Sequence, residues 1–285
     1  MSNYLSITPV RDEERFLPGL IASMVSQTRR PERWLLIDDG SADATPAIIE
    51  EAARVHRWIE PRHLPRERVR RPGGESVIMQ FLPPEAWRDV DFIARFDADL
   101  TFDSDYIERL LAEFARQPRL GIASGTLLEP GSDGAWREVV TPTFHTRGPS
   151  KLYSRPCFAA IGGLEPGLGW DTIDEIRAIM HGFVTRSFRH IHAWHHRPTG
   201  SARGMSRGRF NAGRAAYQAG YSPVFMGARV LRHLVIGRPL QGVAMLAGFA
   251  DGYLRRAKRA ASPDVVRFVR TQQMRRLFAM ESRWR

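Results

Sequence analysis

The segment FIARFDADL, Phe92 to Leu100, brings two carboxylates, Asp97 and Asp99, to the end of an apolar run. A single aspartate at a strand end usually caps or turns the chain. Two at positions i and i+2 do more, because successive strand side chains alternate faces and these two would project from one side onto one ligand. Carboxylate oxygens with open positions beside them suit a hard divalent cation, Mg2+ or Mn2+, which keeps water and phosphate oxygens in its remaining sites. An ion held there would bridge a diphosphate and stabilise the charge that develops on departure.

The elements that must position these groups follow a strand, helix, strand, helix rhythm. Tyr4 to Thr8 is an apolar run closed by Pro9, followed by a helical pattern with Leu17, Leu20, Ile21, Met24 and Val25 on one face. Trp34 to Ile37 is a second buried strand running into Asp38, Asp39, Gly40 and Ser41. A helix then carries Pro46 in its first turn and turns Ile48, Ile49, Ala52 and Ala53 inward. Residues 58 to 76 form a weak strand and a basic loop, RERVRRPGGES, and a helix over about Ser76 to Leu82 leads to the Phe92 to Phe96 strand. A helix capped near Ser104 turns Ile107, Leu110, Leu111 and Phe114 inward, and Leu120 to Ser124 is a further strand. This alternation implies an α/β fold with a mostly parallel sheet and right-handed crossovers. Ligands bind at the carboxyl ends of such strands. Three polar clusters fall at those ends: Thr8 to Glu14, Asp38 to Asp43, and Asp97 to Asp99. Gathered there, the carboxylates would repel one another unless a cation or a hydrogen-bonding ligand joined them.

The chain has 285 residues, 43% of them hydrophobic, which is enough for one large α/β domain with an appendage. Its net charge of +11 and pI near 10.8 suit an anionic partner such as a nucleotide or an acidic membrane face. Lys151 and Lys258 are the only lysines, so an Arg-rich gene composition accounts for the charge as well as a ligand does. A nucleic-acid binder would leave the acidic clusters unexplained and would interleave its basic run with stacking aromatics, which this chain does not. Cys157 is the only cysteine, which fits a cytoplasmic location without disulfides. MSNYLSITPVRDEERF does not read as a signal peptide, and no window offers the roughly 20 apolar residues of a spanning helix.

TPVRDEERFL, LLIDDGSADAT and FIARFDADLTFDSDYI resemble the successive signatures of family 2 glycosyltransferases, inverting enzymes of the Rossmann-like GT-A fold. The similarity covers roughly residues 4 to 200 and implies a UDP-, GDP- or dTDP-linked sugar donor. It also implies roles: Asp39 and Asp38 on the base, Pro9, Arg11 and Glu13 in the nucleotide pocket, Asp97 on the ribose, and Asp99, with Asp97, on the metal. Two departures stand out. Asp12 replaces an Asn common in the first loop, and RRPGGES replaces a small-residue pattern ending in Arg-Asn, where Arg70 or Arg71 would approach the phosphates. A nucleotidyltransferase making the sugar nucleotide, or an inactive nucleotide-binding protein of the same fold, is the alternative. The former resembles a Gly-rich first loop that TPVRDEER lacks. A phospho-acceptor signalling domain would need a lysine at a later strand end, and none occurs before Lys151.

An inverting transfer needs a carboxylate to take the proton of the acceptor hydroxyl. GGLEPGLGWDTIDEIRAIMHGF supplies candidates, and the family's acidic pair at the start of a helix ending in Gly aligns with Trp170 and Asp171. Asp171 is the first choice of base, Asp174 the second and Glu175 the third. Asp171 with Thr172 would also serve simply to cap that helix. Trp170 could stack on the sugar. In HIHAWHHRPTG, His195 and His196 are candidates to complete the metal site, as a histidine of this region does in some relatives, although the residues themselves favour an ordinary hydrogen-bonded histidine at the edge of the core, because no spacing fixes them relative to Asp99.

The resemblance places a catalytic domain at residues 1–203, its nucleotide half about 1–125 and its acceptor half about 126–203. Residues 204–285 form a basic, mainly helical region. There apolar clusters alternate with Arg229, Arg232, Arg238, Arg255 and Arg256. Such helices would meet the cytoplasmic face of a membrane, where a lipid-linked acceptor resides, or else pack on the catalytic domain or in a homodimer. A saccharide acceptor, in polysaccharide or glycolipid synthesis, is the other expectation.

Overall fold

The computed structural model describes residues 2–66, 81–131, 133–164, 167–198 and 205–284. In chain order these form β1 (Tyr4–Val10), α1 (Leu17–Val25), β2 (Arg33–Asp38), α2 (Thr45–Val55), β3 (Ile59–His63), α3 (Pro84–Trp87), β4 (Phe92–Phe96), β5 (Leu100–Phe102) and α4 (Tyr106–Arg116). There follow β6 (Leu120–Pro130), β7 (Trp136–Glu138), β8 (Ser150–Ser154), α5 (Arg155–Ala160), α6 (Trp170–Met180) and β9 (Val184–His195). Four helices close the chain: α7 (Met205–Gln218), α8 (Pro223–Val235), α9 (Pro239–Leu254) and α10 (Pro263–Leu277). Arg70, Arg71 and all but the last two residues of the helix expected over Ser76 to Leu82 lie outside the described residues.

The sheet runs β3-β2-β1-β4-β8-β6-β9-β5, with β7 hydrogen-bonded to β6. Its first half is parallel, as the alternation requires: β1 pairs in parallel with both β2 and β4, and β2 with β3. Strand parity sets the two cores. Tyr4, Trp34, Leu36, Ala94 and Phe96 face a layer filled by α1, α2 and α4, while Leu5, Ile7, Leu35, Ile37 and Ile93 face the opposite layer with Tyr153 and Phe158. Strands buried on both faces carry apolar residues almost continuously, which is why their periodicity was legible.

Three details depart from the sequence reading. β4 ends at Phe96, so Asp97 and Asp99 stand in the turn before β5 and not on a strand. Their shared direction comes from that turn, with the Asp97 N–H donating to the Pro149 carbonyl (2.9 Å). The α4 helix has Asp105, not Ser104, at its N-cap, because the Ser104 carbonyl is engaged by the Thr28 N–H at 2.8 Å. β6 continues past Ser124 to Pro130, held by antiparallel β7 and β8 and by parallel β9.

The last helix folds back over the middle of the chain. Val265, Val269 and Trp284 pack with Phe144 and with Ile173, Ile176 and Ile179 on the inner face of α6.

Candidate active site

The C-terminal ends of β1, β2 and β4 open onto one edge, and the loops that leave them are bonded to each other. Asp12, in the left-handed conformation (φ 54°), donates its N–H to the Ser41 hydroxyl and accepts from the Ala42 N–H at 2.8 Å. The Glu13 N–H meets the Thr45 hydroxyl, and the Glu14 N–H meets the Asp43 carboxylate. Arg66 closes the loop pair from outside by donating to Asp12, which holds that carboxyl below its usual range. This bond also gives the departure at position 12 a local purpose, since a charged side chain there attracts Arg66.

Within that frame the carboxylates divide. Asp38 is buried and accepts from the Ser41 N–H (2.9 Å), with His63 Nδ1 at 3.2 Å, so it shapes the turn. Asp39 is partly exposed and accepts from Arg11 at 3.1 Å. Pro9 is half-buried at the end of β1, and Arg11 and Glu13 are buried beyond it.

The antiparallel pairing of Leu100 with His195 seats the end of β9 beside the Asp97–Asp99 turn. No spacing in the sequence fixed that histidine; the β5–β9 register does. Donor atoms of Asp97, Asp99 and His195 all lie within 4.8 Å of one another. His195 Nε2 is 3.3 Å from Asp99 Oδ1, and its Nδ1 is 3.0 Å from Glu129, a carboxylate behind it. Burial would push His195 down, but its bonds to Asp99 and Glu129 overcome this and raise it to about 9. Asp99 is buried too, which alone would raise it, yet His195 and Arg197 keep it below the usual carboxylate range. His196, by contrast, points away from this set: its Nε2 meets the Thr101 hydroxyl at 2.8 Å and its ring stacks on Phe16. Two carboxylates and an imidazole, one of them backed by Glu129, are a donor set that fits Mn2+ or Mg2+.

Two arginines hold the same carboxylates. Arg95 reaches Asp97 at 2.5 Å and Arg197 reaches Asp99 at 3.0 Å while also donating to Glu13. Neither belongs to the motifs legible in the sequence. Arg95 has a signal, a lone cation inside FIARF, since a buried guanidinium demands an anion. Arg197 has none, because its partners come from the loop after β1 and from the β4–β5 turn, far away in sequence.

The candidate bases sit on α6. Asp174 is fully buried, accepts two bonds from Lys151 Nζ at 2.8 Å each and one from the Tyr153 hydroxyl at 2.5 Å. Despite burial, Asp174 and Glu175 hold the Lys151 ammonium above its ordinary range. Glu175 accepts from the Thr146 N–H and hydroxyl, both at 2.6 Å, and lies 2.9 Å from His145. Asp171 is only half-buried, and the N-cap is Gly169, not Asp171. Its carboxylate lies so close to Gly148 that a Cβ there would come within 3.3 Å. The Gly148 carbonyl accepts from Arg95 at 3.0 Å, so one arginine spans the gap between Asp97 and the Asp171 neighbourhood. Trp170 lies between cations, with Arg95 at 4.9 Å and Lys151 at 5.1 Å from its ring.

The model of the family described as glycosyl transferase family 2 matches residues 6–164, more than half of the chain. The chain belongs to that family. A curated relative, the undecaprenyl-phosphate 4-deoxy-4-formamido-L-arabinose transferase of Proteus mirabilis (strain HI4320), is 33% identical over 110 residues. That match spans 37% of this chain and about a third (32%) of the relative's length. Solved structures share the GT-A fold at low identity. The mannosyltransferase PcManGT of Pyrobaculum calidifontis, in complex with GDP-Man and Mn2+, superposes with a TM-score of 0.57 at 14% identity, over 98% of this chain and 88% of that one. S. aureus TarS 1-349, in complex with UDP-GlcNAc, gives 0.56 at 13% identity over 98% and 92%. The family 2 match ends at Leu164, so His195 and α6 lie beyond it.

Proposed function

We propose that this family 2 protein is an inverting, metal-dependent glycosyltransferase that moves a sugar from a nucleoside-diphosphate donor to the hydroxyl of a saccharide or lipid-linked acceptor. The observation that carries the reading is the convergence of Asp97, Asp99 and His195 donor atoms within 4.8 Å at the carboxyl edge of the parallel strands. Asp99 and His195, with Asp97, would hold the divalent ion, and Arg95 and Arg197 are the cations it would displace or share. Once bound, the ion offsets charge on the departing diphosphate. Asp39 and Arg11, with Pro9 and Glu13, line the base and ribose side, and Asp38 sets their loop. Trp170 forms the wall against the sugar.

Asp171 is the base in this scheme. It is the one carboxylate of α6 that is not sealed into buried partners, and it lies next to Gly148, which Arg95 connects to Asp97. It would take the acceptor proton as that oxygen attacks the anomeric carbon opposite the diphosphate. Residues 204–285 are an appendage of the catalytic region in this reading. The curated relative's polyprenyl-phosphate name and the nucleotide sugars in the solved neighbours support the acceptor and donor classes. With a donor in hand, Asp171→Asn should keep nucleotide affinity within about twofold and lower kcat by roughly 10²–10⁴, whereas Asp99→Asn should lose metal-dependent binding. Equal loss of binding in both variants contradicts the division of roles.

A further inference from the structure

The α8–α9 hairpin turns a large apolar face outward. It is joined at Gly237 (φ 71°), and its inner side is closed by small residues: Gly213 and Gly248 let α7 and α9 meet backbone to backbone, and Gly242 packs on His233. At the tip, Leu231, Val235, Ile236, Leu240 and Val243 are exposed, Val235 by 79% and Leu240 by 83%. Scattered exposed leucines need no explanation, but a continuous patch at a helix turn does.

The charges around the patch choose its occupant. Arg232 and Arg238 flank the turn, and Arg209 and Arg229 lie close behind. Burial, and after it the Arg238, Arg229 and Arg147 charges, hold the Arg209 guanidinium below its ordinary range. Among the described residues, none of Arg209, Arg229, Arg232 and Arg238 has a carboxylate within ion-pair distance. A second copy on this face would set these like charges against each other, because a two-fold interface repeats the same patch on both sides. An anionic lipid surface would compensate them and accept the apolar tip. Among the described residues no helix is long and apolar enough to cross a membrane, so the hairpin would lie on the surface and not through it. Arg147 is 3.9 Å from Glu129, the partner of His195, so the basic face leads from the tip to the donor set.

We infer that the α8–α9 tip docks this protein onto the surface of a bilayer containing anionic lipid, with Leu231, Val235, Ile236, Leu240 and Val243 entering the headgroup boundary and Arg209, Arg229, Arg232 and Arg238 meeting the phosphates. The inference requires neither nucleotide nor metal and so stands or falls apart from the donor-site reading. Sedimentation with phosphatidylcholine vesicles, with and without roughly one-quarter phosphatidylglycerol, tests it on the full chain. The wild type should bind the anionic vesicles and lose most of that binding in high salt. The double variant Val235→Asp, Leu240→Asp should bind at least about tenfold less while keeping its melting temperature, since both side chains are exposed. Unchanged binding of that variant overturns the inference, as does equal binding to neutral vesicles. So does a wild-type dimer, seen by light scattering, that this variant dissolves, since that result assigns the face to a second copy.

Discussion

Two clusters of carboxylates stand a few residues of arginine and tryptophan apart, and they differ in how they are satisfied. Asp174 and Glu175 on α6 are sealed: Lys151, Tyr153, Thr146 and His145 give them partners from within the core, and both are buried. Asp97 and Asp99 are met by side chains that come from outside the turn, Arg95, Arg197 and His195, and the Arg197 side chain is partly exposed. The first arrangement fixes a helix. The second can exchange one cation for another, which is what a site for a metal and an anionic donor needs. Residue type alone does not separate them, since each is a pair of acids close together in the chain; the difference is the number of internal donors around each oxygen.

The largest expected effect breaks the sealed cluster. Lys151→Met removes the only ammonium facing Asp174 and should lower stability by about 3–5 kcal/mol, read as a drop in chemical-denaturation midpoint that Mn2+ does not restore. A weaker effect belongs to the open one. Arg197→Ala takes a partly exposed guanidinium away from two buried carboxylates, of which Asp99 keeps His195, so in the absence of metal it should cost less than Lys151→Met and should be recovered by Mn2+ in a thermal-shift assay. If both variants lose the same stability and Mn2+ restores neither, the contrast between the clusters is wrong.

The smallest effect is one of pH. Burial pulls His145 down, but Glu175 overrides it and raises the imidazole above its ordinary value. A raised folded pKa means that its contribution is full below about pH 6.5 and is lost as pH rises through the folded value. The wild type should therefore soften above about pH 6.5 more steeply than His145→Gln, and parallel melting curves for the two across that window would contradict this coupling.

Most of the first half of the fold was readable from periodicity, because strands buried on both faces and helices with one apolar stripe leave separate patterns. Asp97 and Asp99 are legible as a pair, but the turn after β4, not strand alternation, brings them together. Beyond residue 130, Gly- and Pro-rich sequence hid β8 and β9, whose places in the sheet depend on pairing with β4, β6 and β5. His195 became locatable only through that pairing. Lys151 and Arg95 were each visible as a cation within an apolar segment, SKLYS and FIARF, but their anions are identified only in three dimensions. The arginine-bearing helices near the C-terminus were legible as apolar and basic; which face was outward was not.

The most direct test of the account is a thermal-shift panel of UDP, GDP, dTDP and CDP, each with and without Mn2+, on the wild type and on Asp99→Asn. One nucleotide should raise the wild-type melting temperature only when Mn2+ is present, and Asp99→Asn should abolish that rise while melting normally without ligands. A nucleotide that stabilises both proteins equally with and without the metal, or no stabilisation by any of the four, would contradict the claim that Asp97, Asp99 and His195 form the centre of a donor site.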